Sequence, residues 1–331
     1  MKRLLALAAL AVAPLLAAID GTVTNRTTGK PAARVTVTLI RPGQNGMTPL
    51  GSAVTDVDGK FHFDQAQTAA APTLLQANYQ GINYNKLLTP NMPASGVDID
   101  VYEPTKSPAG VRVVQRMLIF EPNPGQMALN ETVILQNDSN RTFHDPDRGD
   151  FLFYLPPAAN GQVRVNAQGP GGMPLPRAAE KTKEQDIFKI DFPIKPGETQ
   201  FEIMYHLPAG SPQTFHGRVV NTKGMQAGPL RLVAPAGVEL SGSDIARLGT
   251  EPKSQATIYN VLAKDLFTVQ VSGTGALHNE NANTPTGESD SPPVTQGPPR
   301  IYAHLPSLLA LAFGILGVGL FYLLRTSPVE K

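Results

Sequence analysis

One stretch near the C-terminus limits what the whole chain can be. Residues 305–324 (LPSLLALAFGILGVGLFYLL), which begin at Leu305 and end at Leu324, carry no formal charge. A helix of this length, with a rise of about 1.5 Å per residue, would be about 30 Å long, which matches the hydrocarbon core of a bilayer. The stretch therefore predicts a transmembrane helix over 301–325, and every other segment must lie on one side of that membrane.

The opposite end of the chain has the layout of a secretory signal peptide. Residues 1–18 combine a basic start, a Leu/Ala-rich stretch and small residues at the end. A permanent N-terminal anchor is the alternative, because Leu15 or Leu16 stands where a strict cleavage site has a small residue. A cleaved signal followed by a stop-transfer segment predicts a single-pass type I protein of the cytoplasmic membrane. Most of the chain would then be extracytoplasmic, in the periplasm or at the cell surface, with 326–331 as a cytoplasmic tail.

Composition excludes several functional classes. The 331 residues carry a formal net charge of +1, so nothing in the charge balance points to nucleic acid as a partner. The absence of cysteine excludes disulfides and thiolate metal sites. The length predicts two folded domains, and 30 Gly with 31 Pro predict many turns and few long helices.

Short alternating runs separated by turn residues follow the signal. Residues 34–40 (RVTVTLI) alternate with a period of two and are rich in β-branched side chains, which is typical of a strand. Asp58-Gly59 predicts a tight hairpin turn, after which Phe61 and Phe63 fall on one face of the next strand. These patterns predict an antiparallel β-sandwich over 19–103.

Three motifs of this region carry a family resemblance. They are GTVTNRTTGKP over 21–31, VTVTL over 35–39 and TDVDGKFHF over 55–63. In this order they resemble the carboxypeptidase regulatory-like domain, a transthyretin-type β-sandwich found in secreted and surface proteins. The resemblance implies an accessory module at the N-terminus of a single-pass bacterial envelope protein, and it brings no catalytic residues. The zinc peptidase that gives the domain its name is not visible, because no H-x-x-E pairing occurs in the chain.

Two carboxylates lie in the turn of the third motif. Asp56 and Asp58 have the spacing with which Asx side chains accept hydrogen bonds from nearby backbone N–H groups. Calcium binding is the alternative, but a calcium ion needs several more oxygen ligands than these two residues provide. We therefore interpret both as turn-forming residues.

A second series of strands follows a Pro/Ser/Gly-containing connector at 103–110. About eight or nine strand candidates over 111–275 predict one larger sandwich of broadly immunoglobulin-like architecture, for which we recognise no family. Helix is expected only over 177–184 and 241–248. The fold class is therefore all-β, with two consecutive antiparallel sandwiches, and residues 276–300, dense in Asn, Ser, Thr, Gly and Pro, predict a disordered linker before the transmembrane helix.

The most suggestive polar cluster of the second domain is residues 142–150 (TFHDPDRGD). It contains His144, Asp145, Asp147 and Asp150. Calcium is one hypothesis, but Pro146 interrupts the loop and no glutamate closes the ligand shell. We favour a polar inter-strand loop in which Arg148 pairs with a neighbouring Asp. No catalytic, cofactor-binding or metal-binding residue is therefore assigned, and these four remain the candidates for calcium.

Two further histidines lie at the ends of consecutive strand candidates. If those strands are neighbours in one sheet, His206 and His216 meet across it, although no third ligand for zinc is recognisable.

The sequence thus predicts a membrane-anchored extracytoplasmic protein that is not an enzyme. It would act by binding a protein, peptide or glycan partner in the envelope, or as an accessory subunit of a membrane complex, since the edges and loops of a sandwich can bind without a perturbed acid or base. The alternative is an envelope hydrolase or metal-dependent enzyme whose site lies on loops of the second domain. The sequence leaves the partner and the oligomeric state open.

Overall fold

The protein is built from strands throughout the part of the chain that the structure describes. The computed structural model describes residues 18–43, 46–64, 72–89, 92–208 and 213–277. These residues form 24 strands and one 3₁₀ turn, at Pro157–Ala159, which confirms the all-β prediction. The expected signal peptide, linker and transmembrane stretch lie outside them, apart from Ala18 and the first residues of the linker. Within the described ranges no helix is long and apolar enough to cross a membrane.

The first β region, residues 19–103, contains two sheets. Its strands are β1 (Ile19–Asn25), β2 (Lys30–Pro31), β3 (Thr36–Gly43), β4 (Gly46–Val54), β5 (Lys60–Phe63), β6 (Thr73–Tyr79), β7 (Ile82–Leu88) and β8 (Val97–Val101). One sheet has the order β2-β1-β5 with β8 also paired to β1, and the other has the order β4-β3-β6-β7. The β1–β8 pair is parallel, so the expectation of purely antiparallel pairing is wrong at this position.

The two sheets of the first region share one apolar core. Alternate residues of β1 are buried, as the period-two pattern requires, and Val23 packs in the same cluster as Leu39 and Leu75 of the opposite sheet. Phe61 and Phe63 are both buried, and their ring centres lie 6.0 Å apart in an edge-to-face arrangement. Each fully buried side chain of this size contributes roughly 1.5 to 3 kcal/mol.

The turn before Phe61 has the predicted Asx geometry. The Oδ1 atom of Asp56 accepts the backbone N–H groups of Asp58 at 2.9 Å and of Lys60 at 2.8 Å. Gly59 has a φ of 73°, and a Cβ atom there would lie 2.6 Å from the carbonyl oxygen of Val23. Only glycine therefore fits both the backbone conformation and the space.

The second β region, residues 104–277, is larger. Its strands are β9 (Pro104–Thr105), β10 (Val111–Asn123), β11 (Gln126–Asn137), β12 (Thr142–Phe143), β13 (Phe151–Tyr154), β14 (Val163–Gln168), β15 (Leu175–Arg177), β16 (Ala179–Lys181), β17 (Ile187–Ile190), β18 (Gly197–Pro208), β19 (Gln213–Arg218), β20 (Leu230–Ala234), β21 (Val238–Ser241), β22 (Ile245–Thr250), β23 (Thr257–Val261) and β24 (Leu266–Gly273). An eight-stranded sheet has the order β15-β14-β18-β11-β10-β20-β23-β22. Two three-stranded sheets, β13-β17-β16 and β19-β24-β21, and the short pair β12-β9 complete the region.

The long strands of the eight-stranded sheet bury one face against the smaller sheets. Phe201 of β18 stacks on Phe151 of β13, with ring centres 5.3 Å apart. Phe120 of β10 meets Phe215 of β19 edge to face at 5.0 Å. These contacts place one continuous apolar core between the large sheet and the two small ones.

Tertiary pairing overrides the expectations of helix. Residues 177–184 are polar and contain good helix formers, yet Ala179–Lys181 pairs with β17. In the second expected helix, Ile245–Thr250 pairs with β23. Both expectations are wrong because pairing with a neighbouring strand outweighs weak local propensity. The pairs β10–β20 and β9–β12 are also parallel, which the sequence pattern did not indicate.

Candidate functional site

The loop between β12 and β13 folds around one buried carboxylate. Asp150 is fully buried, and its oxygens accept the backbone N–H groups of Asp145 at 2.7 Å and of Phe192 at 2.8 Å. The Nδ1 atom of His144 lies 2.9 Å from Oδ2 of Asp150. A buried carboxylate with three donors from its own chain is satisfied, so Asp150 ties this loop to the segment that follows β17.

A second carboxylate faces the same imidazole from the end of β17. Oδ1 of Asp191 lies 3.6 Å from Nδ1 of His144, and the His144 side chain is 24% exposed while that of Asp191 is 46% exposed. The hydrogen bond to Asp150 raises the pKa of His144, against the opposing effect of partial burial, and the charges of both carboxylates add to the increase. The site therefore favours the protonated imidazole, which donates to Asp150 and is attracted by the nearby charge of Asp191.

A tight turn brings these groups together. The backbone N–H of Gly149 donates to the carbonyl of Asp145 at 2.7 Å, and Gly149 has a φ of 90°. A Cβ atom at Gly149 would lie 2.5 Å from Cβ of Lys189. The ammonium group of Lys189 in turn donates to the carbonyl of Pro146 at 2.6 Å, so this residue of β17 also holds the loop.

The structure separates the four predicted candidates. His144 and Asp150 meet at the buried centre, whereas Asp145 faces Arg148, with Oδ2 3.9 Å from Nε of Arg148. This confirms the predicted pairing of Arg148 with a neighbouring Asp.

The fourth candidate points outward. Asp147 lies 2.6 Å from the ammonium group of Lys106, and this hydrogen bond lowers the pKa of the Asp147 carboxyl. A calcium shell built from Asp145, Asp147 and Asp150 would require side chains that the structure directs to different partners.

Three side chains, two of the loop and one directly after β17, have the chemistry of a small metal site. Ligand atoms of His144, Asp150 and Asp191 all lie within 4.8 Å of one another. One nitrogen and two oxygens suit zinc, which takes about four ligands, better than calcium, which takes six to eight oxygens. A cation would replace the proton shared by Nδ1 of His144 and Oδ2 of Asp150.

Sequence reasoning did not single out Asp191. It lies in the segment IFKIDFPI, directly after β17, where it and Lys189 interrupt an otherwise apolar run. That interruption is the signal in the sequence, but it does not reveal which distant residue the acid faces.

The predicted meeting of His206 and His216 is wrong. His206 lies on β18 in the eight-stranded sheet and His216 lies on β19 in a three-stranded sheet. Both are exposed, and Nδ1 of His216 lies 3.2 Å from the hydroxyl of Thr268 on β24. Strands that follow one another in sequence do not pair here, because β18 is already enclosed by β11 and β14.

A buried ion pair inside the second core also escaped the sequence patterns. Nε of Arg116 donates to Glu131, and each side chain is only 5% exposed. A second guanidinium N–H donates to the carbonyl of Val220, and the Arg116 guanidinium carbon lies 5.6 Å from the centre of the Phe151 ring. The adjoining cavity of about 10 Å³ has room for about one water molecule, so it is not a ligand pocket.

The surface also carries an open cleft of about 420 Å³. It lies between the 3₁₀ turn and the hairpin that joins β16 to β17. Its lining includes the buried Ile187 and Phe188 and the exposed Lys183 and Glu184, so it combines apolar surface with charges of both signs.

Comparisons with known proteins assign no family. No family model matches the chain, and no curated protein matches it. Among solved structures, the M1 zinc metallopeptidase from Deinococcus radiodurans is similar at 13% identity, over 49% of this chain and 42% of that one, with a TM-score of 0.26. A two-domain M1 zinc metallopeptidase mutant bound to L-tryptophan is similar at 14% identity over 50% and 44%, with a TM-score of 0.27. The chain thus spans less than half the length of these proteins, and likenesses this weak carry no argument about its activity.

Proposed function

We propose that the chain is a membrane-anchored extracytoplasmic protein that binds a protein, peptide or glycan partner in the envelope, or serves as an accessory subunit of a membrane complex. The observation that carries this proposal is the state of Asp150. Its oxygens accept hydrogen bonds from His144, Asp145 and Phe192, and these bonds hold the loop between β12 and β13 in shape. A sandwich scaffold with rigid loops can recruit a partner without acid or base chemistry.

The proposed organisation places two β-sandwich domains outside the membrane, over 19–103 and 111–275. The shared core of β1, β3 and β6 supports a sandwich in the first domain, and the carboxypeptidase regulatory-like motifs support an accessory role for it. The signal peptide over 1–18, the linker over 276–300, the helix over 301–325 and the tail over 326–331 are proposed from the sequence alone.

Membrane topology tests this proposal. The cysteine-free chain permits single labels at Gln185→Cys, on the exposed β16–β17 turn, and at Ser327→Cys in the proposed tail. We expect a membrane-impermeant maleimide to label Gln185→Cys in spheroplasts and to label Ser327→Cys only after lysis. The proposed anchor would be contradicted if both sites, or neither site, were labelled before lysis. Recovery of the full chain in the soluble fraction would contradict it as well.

The binding role needs a separate experiment. The full chain, cross-linked in intact cells and then mildly solubilised, should run as a complex larger than its own mass and contain one recurrent envelope protein. A chain that remains free under these conditions would argue against an accessory role.

A metal-dependent enzyme is the second candidate. It is favoured by the three ligand atoms of His144, Asp150 and Asp191 within 4.8 Å. Elemental analysis of the purified full chain tests it, with Asp191→Asn as the variant and Asp147→Asn as the matched control. Stoichiometric zinc that is lost only in Asp191→Asn would support the enzyme, and a metal-free chain would exclude it.

A further inference from the structure

The predicted connector, residues 103–110, is part of the folded structure. Its residues Pro104 and Thr105 form β9, which pairs in parallel with Thr142 and Phe143 of β12. The backbone N–H of Thr142 donates to the carbonyl of Glu103 at 3.1 Å, and that of His144 donates to Thr105 at 2.9 Å. Backbone hydrogen bonds of this kind hold a segment far more tightly than a free linker is held.

A tyrosine of the first region is inserted into this junction. The hydroxyl of Tyr84 lies 2.8 Å from the hydroxyl of Thr142 in the second region, and it donates to the carbonyl of Tyr102 at 2.9 Å. Since Tyr84 is buried, these partners fix both the position and the direction of its ring.

A lysine of the second region closes over that ring. Nζ of Lys195 lies 4.9 Å from the centre of the Tyr84 ring and donates to the carbonyl of Asn83. Burial lowers the pKa of Lys195 to about 8, with a further contribution from the charge of Arg177. The ammonium form still predominates at pH 7, where it is attracted by both the ring face and the carbonyl.

A third contact between the two regions involves the turn that follows β1. The hydroxyl of Thr27, after β1, donates to the carbonyl of Asn140 and accepts the backbone N–H of Glu103 at 2.9 Å. The carboxylate of Glu103 accepts the hydroxyl of Tyr79 at 2.6 Å and the amide of Asn25 at 2.7 Å. The junction is therefore held at separate points rather than along one hinge.

All of these contacts lie at one end of each region. Strands β1 and β8 of the first region run toward the junction, and β10 starts there at Val111 and runs to the β10–β11 hairpin. The last described residues return to that hairpin, where the backbone N–H of Leu277 donates to Glu121 at 2.8 Å. The described chain thus ends at the tip remote from the first region.

We infer that the two β regions are locked end to end into one rigid body, with the first region as a head held at a fixed distance from the point where the chain leaves the second. The 13 residues of β10 and the 7 residues of β6, at about 3.3 Å each, have a combined length of roughly 65 Å, which sets the scale of the distance between the outer end of the head and the β10–β11 hairpin. The position of a membrane beyond the hairpin rests on the proposed function, whereas the rigidity does not.

Distance measurements on the full chain test this inference. Because the sequence has no cysteine, spin labels can be placed at Thr48→Cys in the head and at Gln126→Cys in the hairpin, both exposed. In the chain reconstituted into lipid nanodiscs, pulsed electron–electron double resonance should give one narrow distance distribution, on the order of 65 Å. A broad or multimodal distribution in the unaltered junction would overturn the inference.

Junction variants provide the control. Lys195→Met and Tyr84→Phe should broaden the distribution, and the exposed substitution Lys183→Met, outside the junction, should leave it unchanged. A distance distribution that stays narrow in the combined Lys195→Met, Tyr84→Phe variant would show that these two side chains do not hold the two regions together.

Membrane placement is measured on the same samples with a nickel-chelating lipid. Enhanced relaxation of the Gln126 label alone would support an orientation in which the head is the end farther from the membrane. Stronger relaxation of the Thr48 label would show the opposite orientation. A narrow distance without relaxation at either label would leave the rigid body intact while contradicting the proposed anchor.

Discussion

The two β regions bury different kinds of side chain. Among the described residues of the first region, the buried polar ones are the uncharged Asn25, Thr55 and Thr73, and the rest of the core is apolar. The second region buries formal charges in two places: the pair formed by Arg116 and Glu131, and the carboxylates of the loop between β12 and β13. The first region should therefore tolerate loss of a polar contact, whereas the second should depend on each charge keeping its partner.

Desolvation explains this difference. A buried charge costs several kcal/mol to remove from water, and only a close partner with further hydrogen bonds offsets that cost. Burial of a neutral threonine has a much smaller desolvation cost, because its hydroxyl forms hydrogen bonds with nearby backbone groups. The two regions therefore differ mainly in the free energy lost when a buried polar group loses its partner, and less in the stability that the intact contact provides.

The largest expected effect is on the buried ion pair. Glu131→Ala leaves Arg116 charged and unpaired in the core, and should lower the free energy of unfolding by about 3 to 5 kcal/mol in urea denaturation. The matched control is Asp138→Ala, which breaks the exposed pair with Arg112 and should change it little. Equal effects of the two substitutions would contradict the contrast.

The buried carboxylate of the loop comes next. Asp150→Asn keeps the shape but weakens the hydrogen bonds from Asp145, Phe192 and His144, so we expect a loss of about 2 to 3 kcal/mol in the same measurement. Asp147→Asn, in the same loop but exposed, should leave the denaturation midpoint unchanged. If Asp150→Asn were harmless, the loop would not depend on its buried charge.

A smaller effect is expected in the first region. The hydroxyl of Thr55 donates to the carbonyl of Ala32 at 2.7 Å and accepts the backbone N–H of Val35 at 2.9 Å. Thr55→Val preserves the volume and removes both bonds, which should cost about 1 to 2 kcal/mol of unfolding free energy. Thr48→Val on the exposed β4 strand is the control, and a loss at Thr55 as large as that at Glu131 would remove the distinction between the two cores.

The smallest effect is a dependence on pH. The folded pKa of His144 is raised, so its contribution to stability is fully present below the ordinary value of about 6.5 and is lost as the pH rises through the folded pKa. Thermal unfolding across this interval should show that loss in the unaltered chain and in His206→Gln, but not in His144→Gln. An identical pH profile in all three would mean that the imidazole does not hold the loop.

The sequence indicated much of the first region and less of the second. Alternation of β-branched residues identified β3, and the Asp58-Gly59 turn placed Phe61 and Phe63 correctly, because these signals are local. In the second region, β23 was not predicted, and β16 and β22 lie in segments that were expected to be helical, because long-range pairing decides their conformation. Parallel pairing of β10 with β20 has no local signal at all.

The candidate site divides in the same way. Clustering in the sequence was enough to select His144 and Asp150. The pairing of Arg148 with Asp145 could be predicted because the two residues are close along the chain. Asp191 reaches the same imidazole from the segment after β17, so only the pairing of β13 with β17 brings it there. The pairing of Arg116 with Glu131 likewise needs the register of β10 and β11, which alternation alone does not fix.

The most direct test of the central contrast is a double-mutant cycle on Arg116 and Glu131. Urea denaturation is measured for Arg116→Met, Glu131→Leu and the two together. We predict that each single substitution costs about 3 to 5 kcal/mol and that the double substitution costs far less than their sum, because it removes both buried charges at once. Losses that simply add would show that the pairing of these buried charges does not hold the second β region.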